Sequence, residues 1–278
     1  MLHALLCLAL AAQSERPQVA IYQSERLEVG AAPAIDSLPR LLYVALPPSY
    51  RDSTLKRYPV VYVLDGDGLW GMTTGIVRLL LLRDEIPEVI VVGVAWGIPF
   101  PETSPLRWRD FTPTTVSSRP GAGHAAELLS YLEREAVPLV DSVYRTMRGD
   151  RTLVGQSRAG LFALYTLYER PAVFGRLVVG SPEVTFDNKY LLRRDSAFAR
   201  SNAPLPGVVY LALGAGELTR PNGPAIQEFA TRLKARGYRG LRLFSETLPG
   251  ETHVSAPASA ITRGLKTVFG VAGGRAGS

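Results

Sequence analysis

Histidine is scarce in this chain, occurring only at His3, His124 and His253, so side chains able to take a proton near neutral pH are few. A hydroxyl nucleophile needs such a base. The segment Gly155-Gln156-Ser157-Arg158-Ala159-Gly160 offers the hydroxyl. The glycine–x–serine–x–glycine motif, which this segment approaches with Ala159 at its last position and Gly160 one later, is common when taken alone. Here it follows an apolar run at 152–155 and opens an amphipathic pattern, a strand–turn–helix context that would lift Ser157 Oγ above the end of a strand. Gly155 and Gly160 leave room for the tight turn, where a Cβ would clash. The following helix start would aim unpaired N–H groups, first that of Arg158, at a developing oxyanion. A serine that merely caps the helix is the competing reading, but a cap requires neither glycine.

Of the histidines, only His253 lies after Ser157, in Pro249-Gly250-Glu251-Thr252-His253-Val254-Ser255. That order, serine before base, fits an acyl-transfer triad whose acid falls between them. His124 precedes a helical pattern and reads as a cap or loop residue. For the acid, Leu213-Gly214-Ala215-Gly216-Glu217 ends a strand in a glycine-flanked carboxylate. Glu217 there would fix the His253 tautomer and stabilise the imidazolium. Asp187, Glu183 and Glu228 are alternatives, as is a dyad without an acid. A second oxyanion donor should follow an earlier strand. Val61-Tyr62-Val63-Leu64-Asp65-Gly66-Asp67-Gly68 fits, running a strand into a glycine-rich turn. An ordinary turn is the plainer reading, and too few other ligands lie nearby for its acidic pair to hold a metal.

These residues need elements to position them. Apolar β-branched runs at 41–46, 60–64, 89–95, 152–155, 177–180, 208–213 and 241–244 predict strands. Helical patterns fall at 74–83, 125–144, 157–168, 189–200, 225–237 and 255–269. The alternation, with several strands apolar throughout, predicts an α/β fold, a mostly parallel central sheet with helices on both faces. One domain over 19–269 accounts for it. The segment 97–123, rich in Pro, Ser, Thr and Arg without a clear period, is too long for an ordinary connection and predicts a functional loop or cap. Arg107 and Arg109 within it could meet an anionic substrate, or be surface arginines. The Gly- and Ala-rich tail, 270–278, predicts disorder.

Composition narrows the partners. The chain has 278 residues, 46% hydrophobic and 20% charged, which is ordinary for a globular enzyme. Its net charge of +6 comes mainly from scattered arginines, with lysine only at 56, 189, 234 and 266. Without a basic stripe interleaved with aromatics, nucleic acid is not an expected partner. With Cys7 as the single cysteine, no intramolecular disulfide or thiolate metal cluster can form. Cys7 lies in an apolar run over 2–12 that is too short to cross a bilayer. The run resembles a signal-peptide core over 1–12, with Ala9-Leu10-Ala11 as a cleavage site, although no Lys or Arg precedes it. Export is the expectation, and a cytoplasmic protein is the alternative.

Further motifs follow in a recognisable order: Leu46-Pro47-Pro48-Ser49-Tyr50, Tyr58-Pro59-Val60-Val61-Tyr62-Val63-Leu64-Asp65-Gly66, Arg107-Trp108-Arg109-Asp110-Phe111-Thr112-Pro113, the Ser157 turn, Ser181-Pro182 with Asp187-Asn188, and the Glu217 and His253 segments. Over roughly 41–269 the chain thereby resembles the esterase-D-like branch of α/β-hydrolases, which includes ferric-enterobactin esterases, feruloyl esterases, S-formylglutathione hydrolases and mycolyltransferases. It departs from the branch at Gln156 and Ala159, where the turn usually reads G-H-S-x-G-G, and at Glu183-Val184-Thr185, where bulky aromatics are frequent. The resemblance implies a serine carboxylic-ester hydrolase working through an acyl-enzyme, with no metal or cofactor, on siderophore-type or other small esters. By the same resemblance Ser157, Glu217 and His253 match the catalytic positions, and Asp67 and Arg158 the backbone oxyanion donors. Acyl transfer to another alcohol would use the same residues. A non-catalytic binding protein on this fold would be marked by loss of the nucleophile or the base, and both are present.

Overall fold

The apolar runs become the strands of one eight-stranded sheet, in the order β1-β2-β4-β3-β5-β6-β7-β8. A computed structural model describes residues 21–31, 39–100 and 102–270. The signal-like run at 1–12, Cys7, and all of the tail beyond Gly270 lie outside the described residues. The strands are β1 Ser24–Ala31, β2 Pro39–Ala45, β3 Tyr58–Val63, β4 Ile90–Ala95, β5 Thr146–Gln156, β6 Arg176–Gly180, β7 Gly207–Gly214 and β8 Leu241–Leu248. From β4 through β8 every neighbouring pair is parallel. β2 runs antiparallel to both β1 and β4.

The parallel strands alternate in the face they supply, as a period of two requires. Val60 and Tyr62 of β3, Leu153 of β5 and Val209 and Leu211 of β7 pack on one side. Val61, Val63, Val154, Tyr210 and Ala212 pack on the other. Both faces are apolar because both are covered by helices. α1 (Gly66–Leu81) and α8 (Ala256–Gly270) cover the second face. The first is covered by α3 (Ala125–Tyr131), α4 (Val137–Val143), α5 (Arg158–Glu169), α6 (Phe186–Ala199) and α7 (Asn222–Arg236). The short α2 (Ser104–Asp110) adds Trp108 at the margin of the same face. Among the described residues no helix is long and apolar enough to cross a membrane.

The structure corrects the sequence reading in five places. β1 was not expected, because an edge strand reading Ser-Glu-Arg-Leu-Glu-Val-Gly-Ala buries little beyond Val29. α1 begins at Gly66 rather than 74, so Asp65-Gly66-Asp67 is a helix start and not a free turn. Within the segment 97–123, residues 104–110 form α2, too short to show a period. The helix expected over 125–144 is divided by a π-helical turn at Leu132–Ala136, just before Pro138. α6 opens on three successive left-handed residues, Asp187, Asn188 and Lys189, with φ of 41°, 49° and 61°. Such a turn costs about 1–2 kcal/mol per residue. Arg193 holds it, donating to the carbonyls of Asp187 and Asn188 and to the Asp187 carboxylate.

Candidate active site

Ser157 sits between β5 and α5 with φ 60° and ψ −117°. The strained geometry is fixed by backbone bonds: Ser157 N–H donates to Gly180 O at 2.9 Å, and Glu183 N–H to Ser157 O at 3.1 Å. The two glycines are needed for close approach. A Cβ on Gly155 would stand 2.4 Å from Ala159 O, and one on Gly160 3.1 Å from Gly180 O. Ser157 occupies the N-cap position, yet its side chain makes no capping hydrogen bond. Its Oγ instead lies 3.1 Å from His253 Nε2.

His253 follows β8 on the loop before α8, and its Nδ1 is 2.7 Å from Glu217 Oε2. Glu217 closes the turn after β7 and is buried. Its other oxygen, Oε1, accepts from Gly214 N–H at 2.9 Å and from Ser181 Oγ at 2.5 Å. The acid's turn and the base's loop touch backbone to backbone. Gly216 N–H donates to Glu251 O at 2.9 Å, and a Cβ on Gly214 would meet that same oxygen at 2.6 Å. Gln156 Nε2 donates to His253 O at 3.2 Å, which ties the base's loop to the serine turn.

The other candidate acids are engaged elsewhere. Glu183 pairs with Arg158 Nε at 3.0 Å, Asp187 with Arg193 and Thr114 Oγ1, and Glu228 with Lys189 and Arg232. His124 stands at the N-cap of α3, 3.4 Å from Glu127.

Arg158 N–H and Asp67 N–H each belong to the first turn of a helix, α5 and α1, where amides have no intrahelical acceptor. The Asp67 carboxylate is itself held by three donors. Tyr43 Oη (2.9 Å) and Gly97 N–H (2.9 Å) reach Oδ1, and Trp96 N–H (2.8 Å) reaches Oδ2. Burial, then the bond to Asp67, pushes the Tyr43 hydroxyl up to about 12, so it stays a donor. Arg158's guanidinium lies 3.6 Å from the centre of the Trp108 ring, with Arg119 5.1 Å away over the same ring. Burial lowers the Arg158 guanidinium from its ordinary value, against the pull of Glu183.

Arg107 and Arg109 are both engaged by carboxylates. Arg107 Nε and Nη2 donate to Asp65 Oδ1 and Oδ2 at 2.7 and 3.0 Å, and Nη2 also reaches Gln156 O at 3.4 Å. Arg109 Nε and Nη2 donate to Asp110 at 2.6 and 3.1 Å. Asp110 also accepts from Trp96 Nε1 and pairs with the buried Arg40. The residues that sequence reasoning missed are therefore Ser181, Tyr43 and the Asp65–Arg107 pair. Among the described residues no group of three or more His, Cys, Asp or Glu side chains could hold a metal ion.

Residues 38–238 match the family model described as "Putative esterase". The chain belongs to that family. Its relatives include the ferri-bacillibactin esterase BesA of Bacillus subtilis, 30% identical over 229 residues that cover 75% of this chain and 78% of that protein. Among solved structures, the BES protein of Bacillus cereus superposes with a TM-score of 0.80 at 24% identity, covering 91% of this chain and 97% of that one. The siderophore hydrolase EstA of Aspergillus nidulans gives a TM-score of 0.77 at 21% identity, with 92% and 99% coverage. The esterase thus has the α/β-hydrolase fold expected from its alternating runs and belongs to the esterase-D-like branch. It is a carboxylic ester hydrolase.

Proposed function

We propose that this esterase cleaves siderophore-type esters through an acyl-enzyme on Ser157. The observation that carries the reading is the continuous chain from Ser157 Oγ to His253 Nε2 at 3.1 Å and from His253 Nδ1 to Glu217 at 2.7 Å. In the first half-reaction Ser157 Oγ attacks the ester carbonyl carbon while His253 Nε2 accepts its proton. Glu217, accepting from Nδ1–H, fixes the tautomer that leaves Nε2 free and offsets the positive charge that develops on the ring. The N–H groups of Arg158 and Asp67 receive the oxyanion. Collapse expels the alcohol, which takes the proton from Nε2. Water then repeats the sequence, freeing the acid and Ser157. Roles in siderophore cleavage named for BesA of B. subtilis and for EstA of A. nidulans support the substrate class.

The experiment is a fluorophosphonate probe followed by peptide mapping, run beside hydrolysis of p-nitrophenyl butyrate and of a ferric tris-catecholate trilactone. Labelling once, at Ser157, and loss of on the order of 10³-fold or more in Ser157→Ala is the expected result. More than a tenth of the activity remaining in that variant removes Ser157 from the mechanism. Cleavage of the p-nitrophenyl ester alone would leave the esterase chemistry standing and remove the siderophore assignment.

A further inference from the structure

Three segments far apart in sequence meet at one guanidinium. Arg107, on α2, grips both oxygens of Asp65 and places Nη2 3.4 Å from Gln156 O. Asp65 is the residue immediately before α1 and has left-handed backbone geometry, φ 54° and ψ 43°. Gln156 is the residue immediately before Ser157. The two helix starts that would supply the oxyanion donors, at Asp67 and Arg158, are thus each two residues from a residue that Arg107 holds. Leu64 N–H to Val154 O, 3.0 Å, joins the same two segments one residue before Asp65 and two before Gln156.

The alternative role, contact with an anionic substrate, sits poorly with this geometry. The Nε–Nη2 edge of the guanidinium is spent on a carboxylate that is only 2% exposed, and the Arg107 side chain itself is 14% exposed. A planar fork with two parallel N–H bonds fixes both distance and direction, which an ammonium on a flexible stem cannot reproduce. On the far side of the same turn, Asp67 is anchored by Tyr43, Trp96 and Gly97. The β3–α1 turn is therefore held from two sides. Its link to the Ser157 turn lies on the Arg107 side, where Nη2 reaches Gln156 O.

We infer that Arg107 is a positioning residue that sets the separation of the two oxyanion donors, by clamping the Asp65 turn to the backbone of the Ser157 turn. The inference rests on the reading of Asp67 and Arg158 as those donors. Its consequence is particular. Loss of the clamp weakens stabilisation of the transition state and leaves ground-state binding of the ester as it was, whatever the charge of the ester.

The test compares Arg107→Met and Arg107→Lys with wild type on two esters that differ in charge, neutral p-nitrophenyl butyrate and anionic p-nitrophenyl hemisuccinate. In Arg107→Met, kcat should fall on the order of 10- to 100-fold on both esters, as for a misplaced donor, with KM within about twofold. Arg107→Lys should recover little, because charge without the fork does not clamp. Added guanidinium, below denaturing concentration, should restore part of the kcat of an Arg107→Ala variant. Should the Arg107 variants fail to fold, Asp65→Asn tests the same clamp, with the same kcat loss and unchanged KM expected. A raised KM for the hemisuccinate alone, with kcat on the neutral ester intact, overturns the proposal in favour of substrate contact. So does an unchanged kcat on both esters. Fluorophosphonate labelling separates the failures: an unlabelled Ser157 in wild type defeats the mechanistic reading, whereas a labelled Ser157 with an indifferent Arg107 or Asp65 defeats only the clamp.

Discussion

Gln156 Nε2 donates to the backbone carbonyl of His253 at 3.2 Å, so the residue before the serine holds the loop that carries the imidazole. A histidine is usual at this position of the branch. Here an amide reaches across 97 residues of sequence to the base's own main chain. Gln156→Met keeps the length and removes the donor. A neutral hydrogen bond contributes about 0.5–1.5 kcal/mol, so kcat should fall about three- to tenfold while KM stays put. Steady-state kinetics on p-nitrophenyl butyrate measures it, and an unchanged kcat would show that the loop holds its place without Gln156.

Glu217→Gln preserves shape and removes the charge facing Nδ1 of His253. The expected loss in kcat is on the order of 10² to 10⁴, with little change in KM, because Glu217 is buried and meets the site through the imidazole of His253. A loss under about fivefold would make the site a working Ser157–His253 dyad.

Ser181 supports Glu217 from a left-handed backbone, with φ 41°. Replacing it separates the hydroxyl from the backbone. Ser181→Ala and Ser181→Gly both remove the bond to Glu217 Oε1, and both should lower kcat about fivefold to tenfold. Glycine accepts the positive φ without a Cβ penalty, so Ser181→Gly should melt higher than Ser181→Ala. Equal melting temperatures would show that the turn stores no strain at this residue.

Stability should report the Asp65–Arg107 pair through pH. Burial raises the Asp65 carboxyl above its ordinary value, and Arg107 opposes that rise. A carboxyl raised in the folded state keeps its proton longer than in the unfolded chain, so its contribution to stability is present in acid and falls as pH climbs through the folded value. Arg107→Met removes the opposing charge and deepens that fall. The gap in Tm between wild type and Arg107→Met should therefore be small where Asp65 is protonated in both, and widen toward neutral pH. A gap that stays constant or narrows as pH rises would contradict this account.

Much of the fold is legible because the parallel strands are buried on both faces and read as unbroken apolar runs. β1 escapes for the opposite reason, since its charged, half-exposed residues carry no such signal. The meeting of Ser157, Glu217 and His253 is legible from scarcity and order: one histidine follows the serine, and one glycine-flanked carboxylate ends a strand between them. The pairing of Asp65 with Arg107 is not. It spans 42 residues and joins a seven-residue helix too short for periodicity to a turn that reads like any other. Ser181 stands in a recognisable Ser-Pro motif, yet nothing in its neighbours shows that its hydroxyl points at Glu217.

The position of β8 gives the site an order of failure. β8 is the last strand at its edge of the sheet, most of its residues are only partly covered, and the imidazole hangs from the loop that follows it. The bond from His253 to Ser157 closes a span of 96 residues, so it exists only while this outermost strand is docked. Local opening is easiest at such margins. During a denaturant titration, activity should therefore vanish while the far-ultraviolet circular dichroism of the central strands persists, and the esterase would fall silent before it comes apart.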